Sequence, residues 1–267
     1  MTYENILVES AGGIATLTLN RPTSLNSLNK GLIDDTRAAL RTLRNNPDVR
    51  VLIVTGAGRG FCAGADLANA GFNDGVQRSV GEGISHSMEI GYNPLIRDLA
   101  GFPKPVIVAV NGVAAGGGVG LALGGDIVLA AKSAYFVQVF GPKLGLVPDV
   151  GCTWFAPHLL GRARARGLAL LGDRLPAEKA AEWGLIWAAV DDANLLTEAR
   201  AIAERLAKGP TLAFGEIKRV LDAATENTLD QQLELERRTQ QKLGDTEDFR
   251  EGVTAFLTKR EPQFKGK

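Results

Sequence analysis

Cysteine and histidine are scarce in this chain, with two of each among 267 residues. Cys62 and Cys152 stand far apart and lack CxxC or Cys/His spacing, so they outline neither a disulfide framework nor a zinc site. With only His86 and His158, a histidine-based metal centre or nucleophilic triad has no basis, and no metal is expected. Neither sign of charge is in excess: 30 basic and 30 acidic residues give a formal net charge of zero. No Lys/Arg run carries interleaved aromatics, which argues against nucleic acid and against an anionic membrane surface. Hydrophobic residues make up 45% of the chain, yet no apolar run comes near the roughly 20 residues that span a bilayer. The stretch from Met1 to Glu9 is acidic where a signal peptide is basic. Together these features predict a cytoplasmic protein. Low-complexity segments and solenoid repeats are also missing.

What the chain does have is glycine in informative places. Val106 to Val110 is short, β-branched and free of polar residues, which predicts a strand buried on both faces. Asn111-Gly112 and Gly116-Gly117-Gly118 follow, then Ala and Leu at helical spacing as far as Gly124-Gly125-Asp126. A helix is expected to begin within the glycines, leaving free N–H groups at its start. Such a turn either cradles a ligand or is simply tight. A second unit resembles it: Val51 to Val54 leads into Ala63-Gly64 as Val106 to Ala109 leads into Gly116-Gly117. Two parallel strands ending side by side, each with a glycine turn, could aim two backbone N–H groups at one point and form an oxyanion hole. The sequence Gly56 to Leu67 fits neither a dinucleotide fingerprint nor a P-loop.

Along the rest of the chain, Ile6 to Glu9 and Ile14 to Leu19 read as a hairpin, and Leu28 to Leu43 as a helix stopped at Asn45-Asn46-Pro47. Asn69 to Ser87, rich in Gly, Ser and Asp, is expected to be a mobile or loosely helical lid. Strands are expected at Ile127 to Ala131, Tyr135 to Phe140 and Ile186 to Val190, and helices at Gly161 to Leu171 and Ala177 to Trp183. From Asn194 onward the pattern is wholly helical, in four segments (194–208, 211–225, 228–243, 247–258). The chain thus divides into an α/β core, residues 1–193, and a helical oligomerisation region, residues 194–267.

These residues resemble the crotonase family, also called the enoyl-CoA hydratase/isomerase superfamily, over essentially the whole chain. The likeness rests on Ala63-Gly64-Ala65-Asp66-Leu67, on Asn111-Gly112 with Gly116-Gly117-Gly118, on Leu144-Gly145-Leu146-Val147-Pro148, and on Phe256-Leu257-Thr258-Lys259-Arg260. It implies an α/β spiral of ββα units whose C-terminal helices build a homotrimer, often paired into a hexamer. It also implies an acyl-CoA thioester substrate and no cofactor apart from the coenzyme A within that substrate. The thioester oxygen would be held by the N–H groups of Ala63 and Gly117, with Gly64, Ala65, Asp66, Leu67 and Lys259 as candidate contacts to the CoA ester. Asp66 reads equally as a helix cap, and Lys259 as a solvated charge.

Where the family's hydratases carry two glutamates, this chain has Gly120 and Gly141, and glycine can neither position water nor pass a proton. The remaining acid is Asp149, directly after Pro148. On the residues alone it reads as a helix cap; in the family context it reads as a proton shuttle, which is isomerase chemistry. A finer likeness is to the branch of the family that isomerises ring-epoxidised phenylacetyl-CoA, carried by Tyr92-Asn93-Pro94-Leu95, Thr153-Trp154, and Trp183-Gly184-Leu185-Ile186-Trp187. The alternatives are an enoyl-CoA hydratase, a general enoyl-CoA double-bond isomerase, or a non-catalytic member that binds CoA esters or RNA. Cys152 stands where a second glycine is common in the family and has no evident role in the sequence.

Overall fold

The structure is a computed structural model and describes residues 2–67 and 75–267. The expected hairpin is strands β1 (Ile6–Ala11) and β2 (Ile14–Leu19), followed by helix α1 (Lys30–Asn45), whose start is capped by the Asn29 side chain. Next come β3 (Val51–Gly56), β4 (Gly60–Cys62), α2 (Val80–Ser87) and α3 (Asn93–Ala100). The central stretch supplies β5 (Val106–Val110), β6 (Val113–Ala115) and α4 (Gly117–Leu123). The chain continues through β7 (Ile127–Ala131), β8 (Tyr135–Val137), α5 (Cys152–Leu171), β9 (Leu175–Pro176), α6 (Ala177–Trp183) and β10 (Ala188–Val190). It ends with α7 (Leu195–Ala207), α8 (Thr211–Ala223), α9 (Leu229–Gly244) and α10 (Glu247–Thr258).

From β3 to β8 successive strands alternate between a six-stranded sheet, ordered β1-β2-β3-β5-β7-β10, and a four-stranded sheet, ordered β4-β6-β8-β9. This alternation is the ββα spiral that the resemblance implied. Every residue of β5 is buried, as its unbroken β-branched run requires. β3 and β5 pair in parallel, Leu52 opposite Val106 through Thr55 opposite Ala109, so their ends lie side by side. One layer away, β4 and β6 are also parallel, which carries both glycine turns to the same edge.

Residues 69–74 of the predicted lid lie outside the described residues. Within the part that is described, residues 80–87 are helical: α2 begins with a full capping box between Ser79 and Glu82 and runs into a π-helical turn, Met88–Tyr92, ahead of α3. Two expectations change. The strand predicted to reach Phe140 stops at Val137, and Phe140–Leu144 is a second π-helical turn. The boundary at 193/194 does not follow the packing: α7 buries Leu195, Ala199 and Ala203 and lies across β3, β5 and β7 of the large sheet. The helices that stand away from the core are therefore α8 to α10. They are tied back where Lys218 on α8 pairs with Asp126 at 2.8 Å and donates to the carbonyls of Phe102 and Lys104, and where Arg50 donates to Thr211 Oγ1 at 2.9 Å and to the Phe264 carbonyl at 3.0 Å.

Candidate active site

Both glycine turns are held by close backbone contact. Gly64 has φ +86°, and a Cβ there would lie 2.7 Å from the Ala115 carbonyl oxygen and 3.2 Å from the Gly117 nitrogen. Only glycine allows the first turn to rest on the start of α4 in this way. Gly116, at φ 52° and ψ −125°, turns the chain into α4, and Gly117 is the first helical residue. Its N–H therefore has no partner within the helix and stands at the positive end of the helix dipole.

The other expected donor is not available. The Ala63 N–H donates to the Leu25 carbonyl at 2.9 Å, so it cannot also hold a substrate oxygen. Leu28 donates to Gly64 O at 2.7 Å and accepts from Asp66 N–H at 3.1 Å. This bridge turns the intervening Ala65 N–H to the opposite side, and that group has no acceptor among the described residues. Ala65 and Gly117 are thus the pair with free donors. Sequence spacing alone cannot separate Ala63 from Ala65, because the choice depends on which peptide faces Leu28.

Asp149 lies between Pro148 and two left-handed residues, Val150 (φ 52°) and Gly151 (φ 79°). A β-branched residue at positive φ is strained, and the strain sits at the point where the chain reverses to bring α5 against α4. Buried Val150 packs onto the helix start: a Cβ on Gly117 would come 2.8 Å from Val150 Cγ2. Asp149 caps nothing with its side chain, since the N-cap of α5 is Gly151 and no side-chain cap bond exists there. Burial pushes the Asp149 carboxyl up to about 6. Tyr92, at the end of the first π-helical turn, faces the same centre. Burial together with the nearby Asp149, Asp66 and Cys62 raises its phenol to about 12, and its hydroxyl donates to Leu28 O at 3.4 Å. The motif that contains Tyr92 is visible in the sequence, but its position in the site is not.

The two glutamate positions differ in kind. A Cβ at Gly120 would lie 1.9 Å from the Val150 carbonyl oxygen and 3.2 Å from Cys152 Sγ, so no side chain fits there without moving backbone. Gly141 is exposed in the second π-helical turn.

Of the candidate CoA contacts, Gly64 and Ala65 are at the site and Leu67 is exposed beside it. Asp66 is buried and engaged with Arg21, Oδ2 to Nη2 at 2.9 Å, an ion pair that fixes the base of the Ala65 turn and that the sequence did not reveal. Lys259 is the left-handed C-cap of α10, and no hydrogen bond among the described residues joins it to this site. A cavity of about 340 Å³ is lined by Pro148 and Cys152, which stand on either side of Asp149 in the chain, together with Val119, Phe136 and Gln138. Arg162 and Arg166 stand at its edge, exposed.

Two free N–H groups, one of them at a helix start, beside one acid whose ionised form is disfavoured, can stabilise an enolate and move a proton. The family model for enoyl-CoA hydratase/isomerase matches residues 9–267. The chain belongs to that family. Among its relatives, the 1,2-epoxyphenylacetyl-CoA isomerase of Escherichia coli (strain K12) is 53% identical over 266 residues, 99% of each chain. A Rhodobacter capsulatus protein named "Probable enoyl-CoA hydratase" is 44% identical over all of both chains. The solved enoyl-CoA hydratase of Bacillus anthracis superimposes with a TM-score of 0.91 at 33% identity, covering 99% of this chain and 100% of that one.

Proposed function

We propose that this chain is an acyl-CoA isomerase that moves one proton within its substrate, the ester being 2-(1,2-epoxy-1,2-dihydrophenyl)acetyl-CoA. The Escherichia coli relative supports the choice of ester. One observation carries the choice of reaction: Asp149 is the acid beside the free donors, while Gly120 is packed too closely for the glutamate a hydratase would need. The Ala65 and Gly117 N–H groups take the thioester oxygen. Negative charge developing there lowers the cost of removing an α-hydrogen, and each such donor is worth about 10²–10³ in rate. The ring C1–C2 bond shared with the epoxide opens by a shift of ring electrons to a seven-membered oxepin, which conjugates the α-carbon with the ring; the Asp149 carboxylate accepts the α-proton and returns it at a ring carbon. A carboxyl near 6 suits both steps, being ionised at neutral pH yet acidic enough to give the proton back. The reading requires no metal and no cofactor beyond the CoA that the substrate carries.

The assembly we infer is a homotrimer or a pair of trimers. Its support is the apolar surface of α8 to α10, where Leu229, Phe256 and Leu257 are more than 70% exposed in the single chain. Lys259 lies at the end of that surface, so its contact with CoA would have to be made in the assembly. A panel of aromatic and aliphatic acyl-CoA esters, followed by mass and ultraviolet spectra, tests the reaction: isomerisation preserves mass, whereas a product heavier by one water overturns the reading.

A further inference from the structure

Cys152 is a buried residue that the mechanism leaves unused, and its surroundings give it a task. It is the first residue of α5 and almost wholly buried, with its sulfur in the space where a side chain on Gly120 would begin. Its Sγ donates to the carbonyl oxygen of Gly116 at 3.6 Å. That carbonyl and the Gly117 N–H belong to one peptide unit. Buried Gln138 is a second polar neighbour of the sulfur, and its Oε1 has no partner among the described residues. We propose that Cys152 is a positioning residue for the oxyanion hole, its thiol fixing and polarising the Gly116–Gly117 peptide so that the Gly117 N–H is a stronger, better-aimed donor. The proposal rests on the reading of Ala65 and Gly117 as the thioester's donors.

The physical basis is cooperativity across an amide. A hydrogen bond accepted at the carbonyl oxygen draws density out of the C–N bond and leaves the N–H on the opposite side more positive. Gly116 makes this control necessary, because at φ 52° and ψ −125° no side chain restrains the plane of the peptide that follows. Its N–H is held by Val137 O at 2.9 Å and its carbonyl by Val119 N–H at 3.0 Å, so the thiol is a second donor to an oxygen already in use. The donor is constant across the working range of pH, since burial pushes the thiol up to about 12 and keeps it as S–H. Gln138 is the polar side chain beside that thiol and the candidate to orient its S–H.

The test measures the donor directly. Phenylacetyl-CoA labelled with ¹³C at the thioester carbonyl is bound to the full-length protein, and its C=O stretch is read by infrared difference spectroscopy in wild type, Cys152→Ala and Cys152→Ser. In wild type the bound band shifts to lower frequency. Cys152→Ala is expected to move it part of the way back and to lower kcat by about 5- to 20-fold with little change in KM, less than the loss of a whole oxyanion donor. Serine, which restores a donor, is expected to recover most of both. Gln138→Met, which removes the group that orients the thiol, gives the same change in smaller degree and serves if the alanine variant does not fold. A shifted band in wild type that stays put in Cys152→Ala, or in Gln138→Met if that variant stands in, overturns the proposal even if the melting temperature falls, and leaves the oxyanion hole intact. The absence of a shift in wild type overturns the oxyanion hole itself, and the proposal with it.

Discussion

Asp149 is a carboxyl group in a place that disfavours its charge, and both its reactivity and its cost to stability follow from that. As the proposed base it must be ionised, so kcat/KM is expected to rise with pH along an acid limb near 6 and then level off. A profile flat down to pH 4.5 would assign the proton to another group. Asp149→Asn keeps the shape and removes the base, so turnover should fall by about 10²–10⁴ while acyl-CoA binding scarcely changes. In deuterated water wild type should exchange the α-hydrogen of phenylacetyl-CoA and the variant should not. The stability effect has the opposite sign. Because folding raises this acid from 3.8 to about 6, its contribution is most favourable below pH 4 and is lost as pH rises through 6. Asp149→Asn should therefore melt higher than wild type at pH 8, with the difference closing toward pH 4, as thermal unfolding at the two pH values would show. The identity of Asp149 could be read from the sequence. Its freedom from capping could not, because that depends on Val150 and Gly151 both turning left-handed and making Gly151 the cap.

At the level of the element, the proposed chemistry rests on the start of α4. Gly117 is the first helical residue, a position where proline is compatible with the helix, so Gly117→Pro removes the N–H without breaking α4. Its new Cβ would also press on Val150, 2.8 Å away, and Gly117→Ala controls for that contact while keeping the donor. Turnover of the proline variant is expected to fall about 10²–10³ below that of the alanine variant. Equal rates would place the thioester oxygen elsewhere. Gly120→Glu would restore a hydratase residue by name only. With the Val150 carbonyl 1.9 Å from the new Cβ, the variant is expected to be destabilised and to add no water to crotonyl-CoA, as melting and mass spectra would reveal. The strand-glycine-helix unit was plain in the sequence because β-branched runs and glycine clusters are local signals. Which peptide in the Ala63–Ala65 turn keeps a free N–H was not, because Leu25 and Leu28, far back in the chain, decide it.

Over the whole molecule, α8 to α10 present apolar side chains that the single chain cannot cover, although α8 is pinned to the core through Lys218 and Asp126. Truncation before Pro210 keeps α7 on the sheet and removes the proposed interface. The product is expected to be monomeric or insoluble by size-exclusion chromatography with light scattering, and a soluble truncation that still forms trimers would place the interface elsewhere.

The sequence by itself determined the hairpin, the buried strands β3, β5 and β7, the glycine turns at Ala63-Gly64 and Gly116-Gly117, and the four helices at the C-terminus, whereas the short strands β4 and β6 and the half of α5 before Gly161 are not legible in it. Periodicity, β-branching and glycine placement are properties of neighbours along the chain, and they can be read there. Only the tertiary structure decided that Ala65 and not Ala63 keeps its N–H, that Asp66 is spent on Arg21, that α7 belongs to the core, and that Tyr92, Asp149 and the start of α4 meet at one point. Each of these is a pairing between residues distant in sequence. A hydrogen-bond donor is free or taken, and a carboxylate solvated or buried, only once the spiral has brought its turns together.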